Sequence, residues 1–95
     1  MNLPEQVRRA LSSLKARLTY VSGVDVISPD GKRGECMELR FSIGNRAGRE
    51  LVESLIKGAA SSANMRAYVE LIRVGRASST FRVLLVPSDL AVGSR

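Results

Sequence analysis

The stretch of residues 65–86 constrains the fold of this chain more than any other part. Two runs rich in β-branched and aromatic residues flank residues 75–79, whose glycine and serines are typical of turns. A β-hairpin is therefore predicted here. Because side chains alternate along a strand, one face of the hairpin would carry only apolar residues, namely Ala67, Val69, Leu71, Phe81, Val83 and Leu85.

The opposite face of this hairpin mixes apolar and basic residues. It would carry Tyr68, Ile72, Val74, Leu84 and Val86 together with Arg66 and Arg82. Such a face is too apolar to lie wholly in water and too basic to be simply buried. We therefore expect either a partner chain or a ligand to cover it.

The residues before this hairpin divide into a helix, two strands and a second helix. Helical spacing predicts a first helix that begins near Asn2 and Pro4, with an apolar stripe of Leu3, Val7, Leu11, Leu14 and Leu18. Residues 20–28 and 35–43 alternate as strands around a turn at residues 29–34, and the second strand directs Cys36, Glu38, Arg40 and Ser42 to one side. The second helix is predicted over residues 46–60, with Asn45 as its N-cap and a buried side of Leu51, Val52, Leu55 and Ala59.

The predicted order of elements is α-β-β-α-β-β. This order is typical of an α+β two-layer sandwich, in which a four-stranded, mostly antiparallel sheet carries both helices on one face. At 95 residues, the chain is predicted to form a single domain over residues 1–95, with residues 88–95 as a frayed tail.

The composition argues against several classes of function. The chain has no histidine and a single cysteine, Cys36, so the commonest general base and the usual zinc ligands are missing. We therefore predict a non-catalytic protein with no cofactor and no metal. The sequence contains neither an apolar run of membrane-spanning length nor a signal peptide, which predicts a cytoplasmic protein without a membrane partner.

The positive charge is unevenly distributed. The net charge is +6, from 15 basic and 9 acidic residues, and 12 of the bases are arginine. Residues 1–18 and residues 65–86 each hold four bases against one acid, whereas residues 19–64 hold six of each. A localised basic patch is typical of nucleic-acid-binding proteins. Genomic bias or adaptation to high temperature is the alternative explanation of the arginine content.

The turn before the second helix has two interpretations. Arg46 and Arg49 would lie in the first turn of that helix, where free backbone N–H groups bind phosphate. Alternatively, helical neighbours would neutralise this surface through the pairs Arg46 with Glu50, Arg49 with Glu53 and Lys57 with Glu53.

Two resemblances bear on function. The element order, the arginines and a semi-apolar face with Tyr68, Ile72 and Leu84 resemble the archaeal single-stranded-DNA-binding family called ThermoDBP and its shorter relatives. That resemblance implies a thermophilic archaeal protein that binds single strands in a basic, partly hydrophobic cleft. Residues 37–50 with the hairpin that follows are also similar to the small dimerising subunit of the archaeal KEOPS tRNA-modification complex.

Two functional hypotheses follow. The first is a binding module for single-stranded DNA or RNA, which would use arginine contacts to phosphates and the few exposed rings. Its predicted binding residues are Arg8, Lys15, Arg40, Arg66, Tyr68, Arg73, Arg76 and Arg82. The second is a dimerisation or assembly subunit, in which Ile72 and Leu84 on the outer face of the hairpin form a homodimer interface.

Overall fold

The computed structural model describes residues 3–27, 31 and 33–88. The elements, in chain order, are α1 (Leu3–Ala10), β1 (Arg17–Ile27), β2 (Arg33–Gly44), α2 (Arg49–Ser62), β3 (Met65–Val74) and β4 (Ser78–Pro87), with a short 3-10 turn, Ser12–Leu14, after α1. This order confirms the predicted α-β-β-α-β-β arrangement and the α+β fold. The start of the first helix at Asn2, residues 29, 30 and 32 of the predicted turn at residues 29–34, and residues 89–95 of the predicted tail lie outside the described residues.

The four strands form one antiparallel sheet in the order β1-β2-β4-β3. The strands β2 and β4 are therefore central, and β1 and β3 are the edges. The backbone N–H of Ser88, directly after β4, donates to the carbonyl oxygen of Asn64 at 3.2 Å. The end of the last strand is thus joined to the turn between α2 and β3.

One hydrophobic core joins both helices to one face of the sheet. The helical layer contributes Val7 from α1, Leu11 directly after that helix, and Val52, Ile56 and Ala60 from α2, all with no exposed area. The central strands contribute the residues that their alternation predicted, namely Leu39, Phe41, Ile43, Phe81, Val83 and Leu85. We call the opposite face of the sheet, which carries the alternate residues, the outer face.

The first helix is shorter than predicted. It ends at Ala10, and Lys15 adopts a left-handed conformation with φ of 53° before β1 begins at Arg17. Leu18, predicted as the end of the helical stripe, lies in β1 opposite Phe41. The prediction was wrong because pairing with β2 gives Leu18 a place against the core that the helical period alone did not indicate.

The second helix also begins later than predicted, at Arg49 with Gly48 as its N-cap. Its buried residues are Val52, Ile56 and Ala60, with Leu55 and Ala59 packed against the core, whereas Leu51 is 49% exposed. The inclusion of Leu51 in the buried side was therefore wrong. Arg46 precedes the helix, so its predicted helical pairing with Glu50 is wrong too, while Glu53 does pair with Arg49 and Lys57 at 3.3 and 3.5 Å.

Candidate nucleic-acid interface

The outer face presents a regular grid of side chains, because neighbouring strands place opposed residues in rows. From β1 to β3, three such rows are Arg17, Ser42, Thr80 and Arg73; Tyr20, Arg40, Arg82 and Glu70; and Ser22, Glu38, Leu84 and Tyr68. A further pair, Val86 and Arg66, continues the face toward the end of β4. Arg40 therefore shares a sheet face with Arg66 and Arg82.

A β-bulge in each edge strand decides which residues reach this face. The register of β1 shifts between Leu18 and Tyr20, and that of β3 shifts between Leu71 and Arg73. Since a bulge adds one residue, it reverses the alternation that follows it. Tyr20 thereby lies opposite Arg40, and Arg73 lies opposite Thr80, so both belong to the outer face.

The bulge in β3 corrects two assignments made for the hairpin. Ile72 is the extra residue of the bulge and stands outside the rows, with 43% of its surface exposed. Val74 was predicted on the outer face, but it lies opposite Ser79, which shares the helix-facing alternation of Phe81. It is 70% exposed because β3 extends there beyond the core.

Two carboxylates hold the arginines at the centre of the face. Glu38, whose side chain is only 15% exposed, accepts from Nε of Arg40 at 2.8 Å and pairs with Nε of Arg82 at 3.2 Å. Nη1 of Arg82 also lies 3.5 Å from Glu70. The guanidinium of Arg40 stands over the ring of Tyr20, 4.5 Å from its centroid. This centre is therefore close to electrically neutral and conformationally restrained.

Free positive charge lies around that centre. Arg66 and Arg73 on β3 and Arg17 on β1 are exposed, and within the described part of the chain none of the three has an ion-pair partner. Tyr68, between Arg66 and Arg73 along β3, is 48% exposed. Tyr68, Arg82 and Leu84 line a shallow depression of about 280 Å³. The face thus combines an available ring with unpaired guanidinium groups on both sides of it.

A small apolar cluster lies on the same face. It consists of the buried residues Cys36 and Val86 with the half-buried Leu84, and it is separate from the main core. Burial raises the pKa of the Cys36 thiol, which favours the neutral and unreactive form. The cysteine therefore contributes packing at this position.

The eight predicted binding residues do not form one site. Arg40, Arg66, Tyr68, Arg73 and Arg82 share the outer face. Lys15 and Arg76 lie in turns at one end of the sheet, and Arg8 lies on α1, where it pairs with Glu5 at 2.6 Å. Because the helices cover the other face of the sheet, Arg8 is separated from the outer-face group.

The list of predicted binding residues omitted Arg17, Tyr20 and Arg46. The place of Tyr20 beside Arg40 depends on the bulge in β1, for which the local sequence pattern carries no signal. Arg46 belongs to the turn between β2 and α2, and the other basic residues that line its cleft, Lys15 and Arg76, come from two different turns.

Within residues 3–27, 31 and 33–88, no group of three or more Cys, Asp and Glu residues is arranged to hold a metal ion. Among the helices of the same residues, none has the length and apolar character needed to cross a membrane. Comparisons of the chain with protein-family models, with curated proteins and with solved structures found no match.

Proposed function

We propose that this protein binds single-stranded nucleic acid on the outer face of its sheet. The observation that carries the proposal is the exposed ring of Tyr68 between the unpaired guanidinium groups of Arg66 and Arg73 on one edge strand. Unstacked bases pack on such rings, and arginines contact the phosphates that link them.

The geometry favours a single strand over a duplex. The face of a four-stranded sheet is too broad for the major groove, which admits a helix or a two-stranded ribbon, and a duplex keeps its bases stacked on one another. A single strand exposes its bases to Tyr68 and to the apolar side chain of Leu84 beside it. The paired arginines Arg40 and Arg82 retain flat guanidinium groups, which also stack on bases.

The expected binding is moderate in strength and sensitive to salt. Because Glu38 and Glu70 already pair with two arginines, we expect few phosphate contacts. The logarithm of the association constant should fall with the logarithm of salt concentration, with a slope of about −0.7 for each phosphate neutralised. Fluorescence anisotropy of a labelled oligonucleotide at several salt concentrations measures this slope. Absence of binding at about 50 mM salt would contradict the proposal.

The variant Tyr68→Ala tests the stacking contact. We expect it to weaken oligonucleotide binding by about 5- to 150-fold, the equivalent of roughly 1–3 kcal/mol for a base stacked on a ring. The salt slope should stay unchanged, because no charge is removed. Tyr68→Phe is the matched control and should bind like the wild type. Equal affinities for Tyr68→Ala and wild type would exclude Tyr68 as a stacking platform.

The exposed ring of Tyr68 and the half-buried Leu84 favour a second candidate function, homodimerisation through the outer face. The charges oppose it, since a two-fold interface brings each patch against its own copy, and the rows hold more arginines than carboxylates. We therefore rank this function below nucleic-acid binding.

The variant Leu84→Asp tests the dimer. If the outer face is a dimer interface, light scattering should show a dimer for the wild type and a monomer for Leu84→Asp, because an ionised side chain in an apolar interface is strongly unfavourable. Leu51→Asp changes an exposed leucine of α2 and should leave the molar mass found by light scattering equal to that of the wild type. Circular dichroism confirms that both variants are folded. A wild type that is monomeric at high concentration would rule out this function.

A further inference from the structure

A cleft of about 840 Å³ opens at the end of the sheet where three turns meet. These turns are the one between α1 and β1, the one between β2 and α2, and the one between β3 and β4. The cleft is lined by apolar groups and by basic side chains, chiefly Leu14, Lys15, Arg46, Ala47, Arg76 and Ala77. Its size falls in the range of small-molecule sites, roughly 300–1,000 Å³.

The charge of this cleft is uncompensated. Lys15, Arg46 and Arg76 are exposed, and the ion pairs of the described residues include none of them. No carboxylate from the described residues lines the cleft. This differs from the centre of the outer face, where Glu38 and Glu70 neutralise the arginines. Three cations without a counter-charge are suited to a multiply charged anion.

Asn45 holds two of the three turns together. Its side-chain Nδ2 donates to the carbonyl oxygens of Gly75 and Arg76 at 2.8 and 3.0 Å, and its backbone N–H donates to Ala77 at 3.1 Å. The Ser79 hydroxyl donates to Oδ1 of Asn45. The prediction of Asn45 as the N-cap of the second helix is wrong, since Gly48 holds that position. Asn45 instead joins the turns that carry Arg46 and Arg76 through hydrogen bonds. The backbone of the turns that carry Arg46 and Arg76 is therefore held in place before an anion binds, and only the exposed side chains remain to be ordered.

We propose that this cleft binds a nucleotide through a terminal phosphate. The apolar surface of Leu14, Ala47 and Ala77 would contact the base or sugar, and the three cations would contact the phosphate. A phosphate monoester carries nearly two negative charges at neutral pH and offers three acceptor oxygens, so it matches three cations better than the single charge of an internal phosphodiester. The site is distinct from the outer face, and the inference goes beyond the binding proposed there.

The first test uses adenosine 5′-monophosphate, adenosine and inorganic phosphate as probes. Calorimetry or NMR chemical shifts measure the binding of each probe. The monophosphate should bind at least about tenfold more tightly than adenosine, because only the former makes charge-assisted hydrogen bonds. Arg46→Gln and Arg76→Gln should each weaken the monophosphate about tenfold. Arg33→Gln, which removes a distant exposed charge near the other end of the sheet, is the matched control and should have little effect.

Two results would overturn the inference. One is equal affinity for adenosine and its monophosphate, including the absence of binding by both. The other is unchanged monophosphate affinity in Arg46→Gln and Arg76→Gln. Arg46→Lys provides a folding-neutral comparison that keeps the charge, and it should retain more affinity than Arg46→Gln.

A second test identifies the source of the phosphate. Oligonucleotides of one sequence with a 5′-phosphate, a 3′-phosphate or no terminal phosphate are compared for the wild type and the same variants. Tighter binding of one phosphorylated end, lost in Arg46→Gln, assigns the cleft to a strand terminus. Equal binding of all three, with retained binding of the monophosphate, assigns it to a free nucleotide. If no oligonucleotide binds while the monophosphate does, the function proposed for the outer face fails and the cleft site stands.

Discussion

Ile56→Ala is expected to lower the free energy of unfolding by about 2–5 kcal/mol, the usual range for removing a large aliphatic side chain from a core. Ile56 has no exposed area and lies in the core cluster that joins α2 to the sheet. Its truncation removes buried apolar surface and leaves a cavity between the layers. Urea denaturation, monitored by circular dichroism, measures the change in the free energy of unfolding.

Leu51→Ala provides the control for this measurement, since it removes a similar volume from the same helix. Leu51 is 49% exposed, so its replacement should change the free energy of unfolding by less than about 0.5 kcal/mol. The pair also distinguishes two orientations of α2, because the sequence pattern placed Leu51 on the buried side. A larger loss for Leu51→Ala than for Ile56→Ala would show that the helix is rotated from the orientation described.

The double variant Arg66→Glu/Arg73→Glu is expected to weaken binding of a single-stranded oligonucleotide on the order of 100-fold at low salt, because two attractive contacts become repulsive. Both arginines are exposed and unpaired on β3, so the change should leave the fold intact. The salt slope should also become shallower, since fewer counterions are released. Fluorescence anisotropy measures both quantities.

The matched control for this variant is Arg9→Glu/Arg33→Glu, which changes the net charge by the same amount. Arg9 lies on α1 in the helical layer, and Arg33 lies at the start of β2, away from the rows that hold Arg66 and Arg73. Its loss of affinity should be at least tenfold smaller than that of the outer-face variant. Equal losses for the two variants would mean that net charge, and not this face, governs binding.

Much of the fold could be predicted from local patterns. The alternation of Leu39, Phe41 and Ile43 in β2 and of Phe81, Val83 and Leu85 in β4 identified the inward side of both central strands. A central strand is paired on both sides and packed on the core, so its alternation is expressed directly in the sequence. Edge strands and helix ends were less well predicted, because pairing with distant residues determines them.

The candidate sites, like the fold, combine features that local patterns predict with features that depend on contacts between distant residues. The arginines and Tyr68 were predicted as candidate binding residues from composition and alternation alone. The assignment of Arg73 to the outer face depends on the bulge at Ile72. The neutralisation of Arg40 and Arg82 depends on the strand register, which brings both arginines within reach of Glu38 and brings Arg82 near Glu70. The resemblance to the archaeal single-stranded-DNA-binding family stays a prediction.

The sequence by itself determined the order of helices and strands, the apolar face of each central strand and the surplus of arginine in two segments. These properties depend on residue type and on spacing along a few turns or strand residues, which are local quantities. The tertiary structure decided where the first helix ends, which residues the two bulges turn to the outer face, and that Lys15, Arg46 and Arg76 line one cleft. Strand register and the meeting of separate turns depend on contacts between residues far apart in the chain, and local patterns carry no signal for them.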